Sequence, residues 1–357
     1  MRVCEIGGQG VLEGVMMRGS GKSALAVRKK SKEITLKESK FVSKTKSNKF
    51  YGLPIIRGVV AFIETMFAGV GTINDALVMF DDETDEVKPS KFEEFIAEKT
   101  GKSSMDVMMF FAVVLALGFS ILLFFILPNF VTGLVSKSID SSILKNLIEG
   151  AVRLTIFVLY VLAISFVSDV KRLFMYHGAE HKVINCYEHE KELTVENAKS
   201  MTTLNPRCGT SFLLIVMVIA ILFFSLFGWS SVWYVRILIR LTFLPVVAGI
   251  SYEILKLLAK SENIFVRILR APGMALQRLT TSEPDEEMVE VAMLAFRAVE
   301  GSYTKDDIEA LRIDFSHGAV KTCEPEEDND EVEDQDNQTK AVINETVKAD
   351  DEPKSEV

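Results

Sequence analysis

The stretch VMMFFAVVLALGFSILLFFIL, residues 107–127, contains 21 residues and no charged side chain. A helix of this length rises by roughly 30 Å, which matches the ~30 Å hydrocarbon core of a lipid bilayer. A buried helix of a soluble protein is the alternative, but such helices are usually shorter. The stretch therefore predicts a membrane-spanning helix and places the chain among membrane proteins.

Three further apolar blocks are long enough to span a bilayer. Hydrophobic residues make up 48% of the 357-residue chain and its mean hydropathy is +0.23, with the excess concentrated in discrete blocks. We therefore predict a mainly α-helical, polytopic membrane protein with a four-span domain at 107–253. Its predicted spans are 107–127, 147–167, 211–228 and 232–252.

The segment 53–80 has the periodicity of a helix but a more polar composition. It carries Arg57, Glu64 and Asp75 between its apolar residues. These side chains predict a helix that lies against the membrane or against other helices, not across the bilayer. With the linker that follows, this helix forms the predicted region 51–106.

The remaining segments are predicted to lie outside the membrane. The glycine-rich region 1–50 has candidate strands at 24–28 and 33–36, so it predicts a small β-rich cytoplasmic unit. Region 254–315 predicts C-terminal cytoplasmic helices. The tail 316–357 is predicted to be a disordered acidic segment, because its last 34 residues contain 14 acidic residues, three lysines and no aromatic residue.

Lysine and arginine are unevenly distributed among the predicted loops. They are frequent before the first span, in the loop 169–210 and after the fourth span, whereas 128–146 has two and 229–231 has none. By the positive-inside rule, both termini and the 169–210 loop are cytoplasmic. Residues 1–21 contain no signal peptide, and the four dispersed cysteines suggest free thiols. We expect a multi-pass cell-membrane protein whose partners include membrane lipids and no nucleic acid.

The loop 169–210 contains an H-x-x-E-H run made by His177, Glu180 and His181, within FMYHGAEHKVINCY at 174–187. On a helix, residues four positions apart share a face, so the two imidazoles could bind one metal ion. Glu180 could then act as the base for a water molecule held by the metal. The run predicts a divalent metal cofactor, zinc being the best candidate. The alternative is a pair of histidines that only form hydrogen bonds or face water.

Several residues are candidates for completing the metal shell. Glu253 ends the fourth predicted span and Cys208 shortly precedes the third, so both could meet the histidines at the inner membrane surface. A different set, His177, His181, Cys186 and Cys208, would form a closed structural zinc site without a position for water. The sequence leaves these alternatives open.

Four charged residues lie inside the predicted spans. Glu149 and Arg153 are near the outer end of the second span, and Arg236 and Arg240 are near the outer end of the fourth. A glutamate–arginine pair between helices would lower the cost of burying both, and the excess positive charge could bind a lipid phosphate or an anionic solute. Arginines that extend to the interface are the alternative.

Six motifs occur in order across residues 6–299: IGGQGVLEGVMMRG, PIIRGVV, YHGAEHKVINCYE, NPRCGTSF, ISYE and LQRLTTSEPDEEMVEVA. Together they resemble the YqhQ-type bacterial membrane proteins, a family of unknown function described as predicted metal-dependent enzymes. The resemblance implies metal dependence, which falls here on His177, Glu180 and His181. The family often has a histidine where this chain has Asn205, so no third histidine ligand is expected there.

Two functions follow from these patterns. The first is a metal-dependent membrane enzyme, a hydrolase, in which Glu180 is catalytic and His177 and His181 bind the metal with Glu253 or Cys208. The second is a non-enzymatic membrane factor that handles lipid or solute or scaffolds partners. The H-x-x-E-H run favours the first.

Overall fold

The computed structural model describes residues 4, 6–41, 43–47, 49–80, 104–230, 232–258, 263–302 and 313–314. Within these residues the protein is mainly helical, with a small sheet near the N-terminus. The helical class and the small β unit are therefore confirmed. The predicted linker at 81–103 and the predicted acidic tail lie outside the described residues.

The sheet is an antiparallel meander in which each strand pairs with the next along the chain. The candidate strands 24–28 and 33–36 fall largely within its third and fourth strands, and the glycine-rich start supplies two more. The strands are β1 (Gly7–Val11), β2 (Gly14–Arg18), β3 (Lys22–Arg28), β4 (Ile34–Lys40) and the two-residue β5 (Ile313–Asp314), which pairs in parallel with β4.

The described helices follow in chain order. They are α1 (Lys44–Ser47), α2 (Ile56–Phe80), α3 (Ser104–Ile121), α4 (Leu127–Val135), α5 (Ser142–Ile164), α6 (Ser168–Glu188), α7 (Val195–Lys199), α8 (Gly209–Ser225), α9 (Trp233–Leu258), α10 (Ile264–Thr280) and α11 (Glu286–Glu300). A π-helical turn, Leu122–Ile126, joins α3 to α4.

The sheet lies between two helical layers because successive strand residues face opposite sides. On β2, Met17 packs in a core with α6 and α11, whose largest buried side chains there are Tyr176 and Phe296. Its neighbour Met16 faces the other side and packs against Met79 near the end of α2. This alternation places α6 directly on one face of the sheet.

Helix α2 connects the sheet to the apolar helices. Glu64 accepts a hydrogen bond from the first backbone N–H of α1 (2.7 Å), and Asp75 pairs with Lys37 of β4 (2.9 Å). At its other end, Arg57 pairs with Glu253 of α9. These contacts fit the predicted helix packed against other elements, although its length and composition alone would allow a span.

Four described helices are long and apolar enough to cross a membrane, but the set differs from the predicted one. Three overlap most of the predicted first, second and fourth spans: Phe110–Val135, Ser142–Ile164 and Trp233–Leu257. The fourth is α2. The predicted third span, 211–228, corresponds to helix α8, which has 17 residues. It begins directly after its cap Cys208 and ends at Ser225, so it is shorter than the four candidate spans.

The first span continues past its predicted end at residue 127, although Pro128 follows there. Proline has no backbone N–H and displaces the carbonyl four residues earlier, which here belongs to Phe124. The helix accommodates this by the π-helical turn, and Phe124 instead accepts a hydrogen bond from Arg153 Nε of α5 (2.9 Å). The helix therefore runs on to Val135.

The segment 169–210, predicted as a loop, begins with the buried helix α6. Only the turn 165–167 separates α6 from the apolar helix α5. Helix α6 has low overall hydrophobicity, yet eleven of its residues are buried. The H-x-x-E-H run therefore lies on a helix that packs against the sheet beside α11, and not on a solvated loop.

Candidate metal centre

His177 and His181 lie one turn apart on α6, with ring centroids 4.4 Å apart. Cys208, directly before α8, joins them, and one ligand atom from each of the three residues lies within 4.8 Å of the other two. His181 is buried, while His177 and Cys208 are partly exposed. Three of the four predicted ligands thus come together.

Backbone carbonyls hold both imidazoles in the same tautomer. His177 Nδ1 lies 2.9 Å from the carbonyl oxygen of Thr280, and His181 Nδ1 lies 2.5 Å from that of Thr203. A carbonyl only accepts hydrogen bonds, so each Nδ1 carries a proton and donates it. In the neutral ring each Nε2 then keeps its lone pair, which is the arrangement found in metal-binding histidines.

Cys208 adds a sulfur donor to the two nitrogens. Its Sγ lies 3.3 Å from His177 Nε2 and accepts a hydrogen bond from the backbone N–H of Thr210 (3.4 Å). Metal binding would release the thiol proton. Two imidazoles and one thiolate suit zinc, and three protein ligands leave the fourth tetrahedral position for water or substrate.

Glu180 lies beside the three candidate ligands and is 4% exposed. One carboxylate oxygen accepts a hydrogen bond from the backbone N–H of Gly8 (3.0 Å). The other is 3.8 Å from His177 Nε2 and, among the described residues, has no hydrogen-bond partner. Burial raises the pKa of the Glu180 carboxyl, and the charge of His177 and the Gly8 N–H oppose that rise. A carboxylate with a raised pKa is a stronger base than an ordinary one.

Glycines allow the elements around α6 to approach it closely. A Cβ on Gly10 of β1 would lie 2.7 Å from the backbone nitrogen of His177, and one on Gly8 would lie 3.1 Å from Cγ of Glu180. A Cβ on Gly178 would collide with the carbonyl of Ser282, which follows α10. The glycines of GGQG therefore bring strand backbone against the helix.

The other proposed ligands are engaged elsewhere. Both carboxylate oxygens of Glu253 contact the guanidinium of Arg57, and one also accepts the backbone N–H of Ile55 (3.2 Å). Cys186 is buried in the core of the sheet unit, where its thiol faces the carbonyl of Glu192 (3.5 Å). Neither belongs to the group formed by the histidines and Cys208. The structure therefore favours Cys208 over Glu253 as third ligand.

Asn205, where no third histidine ligand is expected, forms hydrogen bonds to α10 and to the following turn. Its backbone N–H donates to the side-chain oxygen of Gln277 (2.9 Å), and its carbonyl accepts from the Gln277 amide (2.7 Å). Its own side chain accepts the N–H of Arg207 (2.9 Å). These bonds attach the turn before Cys208 to α10.

Several contacts that hold the site were not apparent from the sequence. Glu188 is buried, pairs with Arg207 and accepts the backbone N–H of Cys4 (3.3 Å). Lys182 is 3% exposed and donates to the carbonyls of Lys199 and Met201 (2.7 Å each). These bonds fix the segment between α7 and α8. Only the high density of polar residues after the second span hinted at such a network.

The family described as "Protein of unknown function (DUF1385)" matches residues 53–302 of the chain. The chain belongs to this family. It is also 35% identical over 293 residues to "Uncharacterized protein YqhQ" of Bacillus subtilis (strain 168), which covers 81% of this chain and 90% of that protein. No solved structure matches the chain. The resemblance to YqhQ-type proteins is thereby confirmed, and the DUF1385 match contains all four residues of the candidate site.

The close approach of β1 to α6 predicts a stability difference between two glycines of the same strand. Gly10→Ala should lower the free energy of unfolding by about 1–3 kcal/mol, because its Cβ meets backbone atoms that cannot rotate away. Gly7→Ala is the matched control, since nothing lies within 4 Å of its Cβ. Thermal unfolding of the two variants in detergent measures the difference. Equal midpoints would contradict the packing described here.

Proposed function

We propose that the chain is a metal-dependent integral membrane enzyme, a hydrolase, with its site at the cytoplasmic surface of the cell membrane. The observation that carries this proposal is the convergence of His177, His181 and Cys208 beside the buried, unpartnered oxygen of Glu180. A structural zinc site is usually closed by four protein ligands, whereas three ligands beside a carboxylate are typical of catalytic sites.

The residues of the site fit a zinc ion. The donors are two nitrogens and a sulfur, and backbone carbonyls already orient both imidazoles. A zinc ion held by His177, His181 and Cys208 would supply Lewis acidity to water or to a substrate carbonyl or phosphoryl group. Glu180 would accept the proton of the attacking water, because one of its oxygens is fixed by Gly8 and the other is available.

The position of the site relative to the apolar helices supports a location at the membrane surface. Helix α6 starts four residues after α5 ends, and His177 follows about two and a half turns later. Cys208 directly precedes α8. Both metal-binding segments thus leave the ends of apolar helices. The bias in lysine and arginine supports the cytoplasmic side for this surface and for both termini.

Metal content tests the ligand set directly. Detergent-purified protein should contain about one zinc ion per chain by mass spectrometry. The His177→Ala, His181→Ala variant should contain none, and Cys208→Ser should bind more weakly. His189→Ala is the matched control, because His189 is exposed and its Nδ1 lies 2.7 Å from the carbonyl oxygen of Asn185, away from the candidate ligands. Absence of stoichiometric metal from the wild-type protein would refute the proposal.

Glu180→Gln should separate metal binding from catalysis. The variant should keep its zinc but lose activity by a factor of about 100 or more, since an amide cannot accept the proton. Complementation of a bacterial strain that lacks its own family member is the readout while the substrate is unidentified. Glu196→Gln, an exposed substitution of the same kind, is the control. Full complementation by Glu180→Gln would exclude Glu180 as the base.

A second function, a non-enzymatic factor that handles lipid or anionic solute, is favoured by a separate cluster. Glu149 is 1% exposed and pairs with Arg153 (2.8 Å) and with Arg240 of α9. Arg240 also donates to Asn146 (3.3 Å), and Arg236 is buried one turn away. Three arginines around one glutamate leave excess positive charge within apolar helices, where such groups commonly mark a functional site.

The double variant Arg236→Gln, Arg240→Gln tests the second function. It removes the excess positive charge and leaves Glu149 paired with Arg153, so no buried charge loses its partner and the fold should survive. If the cluster handles an anion, this variant should fail to complement while its zinc content stays normal. Normal complementation would contradict the second function and leave the enzyme proposal standing.

A further inference from the structure

Two cavities lie along α10, the helix whose last residue, Thr280, contacts the ring of His177. The first is a groove of about 800 Å³ among α5, α8, α9 and α10, lined only by apolar side chains such as Val158, Leu222 and Leu276. The second has about 620 Å³ and is lined by the arginines of α10 together with Leu204 and Pro206. Both volumes are in the range of small-molecule sites.

The second cavity is strongly cationic. Arg267, Arg270 and Arg278 are three and eleven residues apart on α10, which places them on one helix face. No acidic residue lines this cavity. Among the described residues, no carboxylate pairs with Arg267 or Arg278, and both are exposed. Guanidinium groups in this arrangement are suited to a phosphate.

The apolar groove and the cationic cavity adjoin at one small side chain. Ala275 lines both of them, so a single ligand could occupy both. Along α10, Ile268 and Leu269 on the groove side are 61% and 54% exposed. A ligand that satisfies both sides must have an apolar chain and an anionic head joined at about the position of Ala275.

We propose that an anionic phospholipid binds here, with its phosphate among Arg267, Arg270 and Arg278 and an acyl chain in the groove. Charge complementarity selects the head group, and the all-apolar lining selects the chain. Helix α10 packs against the apolar helices α5 and α8, so its exposed apolar side chains can face lipid. The binding site itself is independent of the metal.

The lipid head would lie beside the candidate metal centre. Pro206 lines the cationic cavity two residues before Cys208, and Thr280 at the end of α10 holds the ring of His177. This step rests on the proposed function: a lipid bound so near the metal ligands would be the substrate, and the substrate class of the enzyme would be anionic phospholipids. Hydrolysis of an ester near the head group would add one water across the ester bond, giving an acid and an alcohol.

Native mass spectrometry of the full-length protein tests the binding site. The protein is delipidated in detergent and offered phosphatidylglycerol or phosphatidylcholine with identical acyl chains. Wild-type protein should retain phosphatidylglycerol preferentially. Arg267→Gln, Arg278→Gln should reduce its retention by about tenfold or more. Val218→Trp, which fills the groove from α8, should reduce retention of both lipids.

The matched control removes two exposed lysines from other elements. Lys171→Gln, Lys191→Gln should leave retention of phosphatidylglycerol unchanged. Equal retention of the two lipids by wild-type protein, or an equal loss in the lysine variant, would overturn the proposal. Displacement of the lipid by inorganic phosphate at the same concentration would show that the groove contributes nothing, which would also overturn it.

The same measurement separates this inference from the metal proposal. His177→Ala, His181→Ala should lose zinc and still retain phosphatidylglycerol. A protein that holds zinc but shows no preference for phosphatidylglycerol refutes only the lipid site. A protein that shows the preference but holds no zinc refutes only the metal-dependent enzyme.

Discussion

The contact between strand β1 and helix α6 is the constraint on which the rest of the molecule depends. Gly8 and Gly10 have no side chain, so the strand backbone reaches the helix where His177 and Glu180 lie. The same contact supplies the N–H that holds one Glu180 oxygen. The N-terminal sheet is thus a wall of the candidate site, and the apolar helices reach that site through α6 and α8.

Polar side chains of α6 organise the segment that carries Cys208. His181, Lys182 and Asn185 donate hydrogen bonds to backbone carbonyls between residues 199 and 204. A segment without regular secondary structure has carbonyls that need donors, and a buried polar helix supplies them. Each bond satisfies a buried group and also sets the path of the chain towards Cys208.

This pairing explains what the sequence could and could not predict. The apolar runs and the candidate strands at 24–28 and 33–36 are local signals, and the structure has apolar helices and the strands β3 and β4 at these places. Helix α6 buries a short apolar face that includes Tyr176, Ala179 and Val183, but its other buried side chains are polar and several bond to backbone carbonyls. The segment between two apolar spans is therefore predicted as a loop. The choice between Cys208 and Glu253 depended on Arg57, which is 196 residues away from Glu253 in the chain, and no local pattern reveals such a pair. The continuation beyond Pro128 likewise depended on a donor from another helix.

That donor has a consequence for how the protein enters the membrane. An arginine in the middle of an isolated apolar helix opposes insertion by about 2.5–3.5 kcal/mol. Arg153 has one partner on its own helix, Glu149, and another in the carbonyl of Phe124 that Pro128 leaves available. Both partners precede Arg153 in the chain and are therefore synthesised first. We expect α3–α4 and α5 to leave the translocon together as a hairpin. The carbonyl of Phe124 in the π-helical turn then accepts the hydrogen bond from Arg153 and lowers the cost of inserting α5.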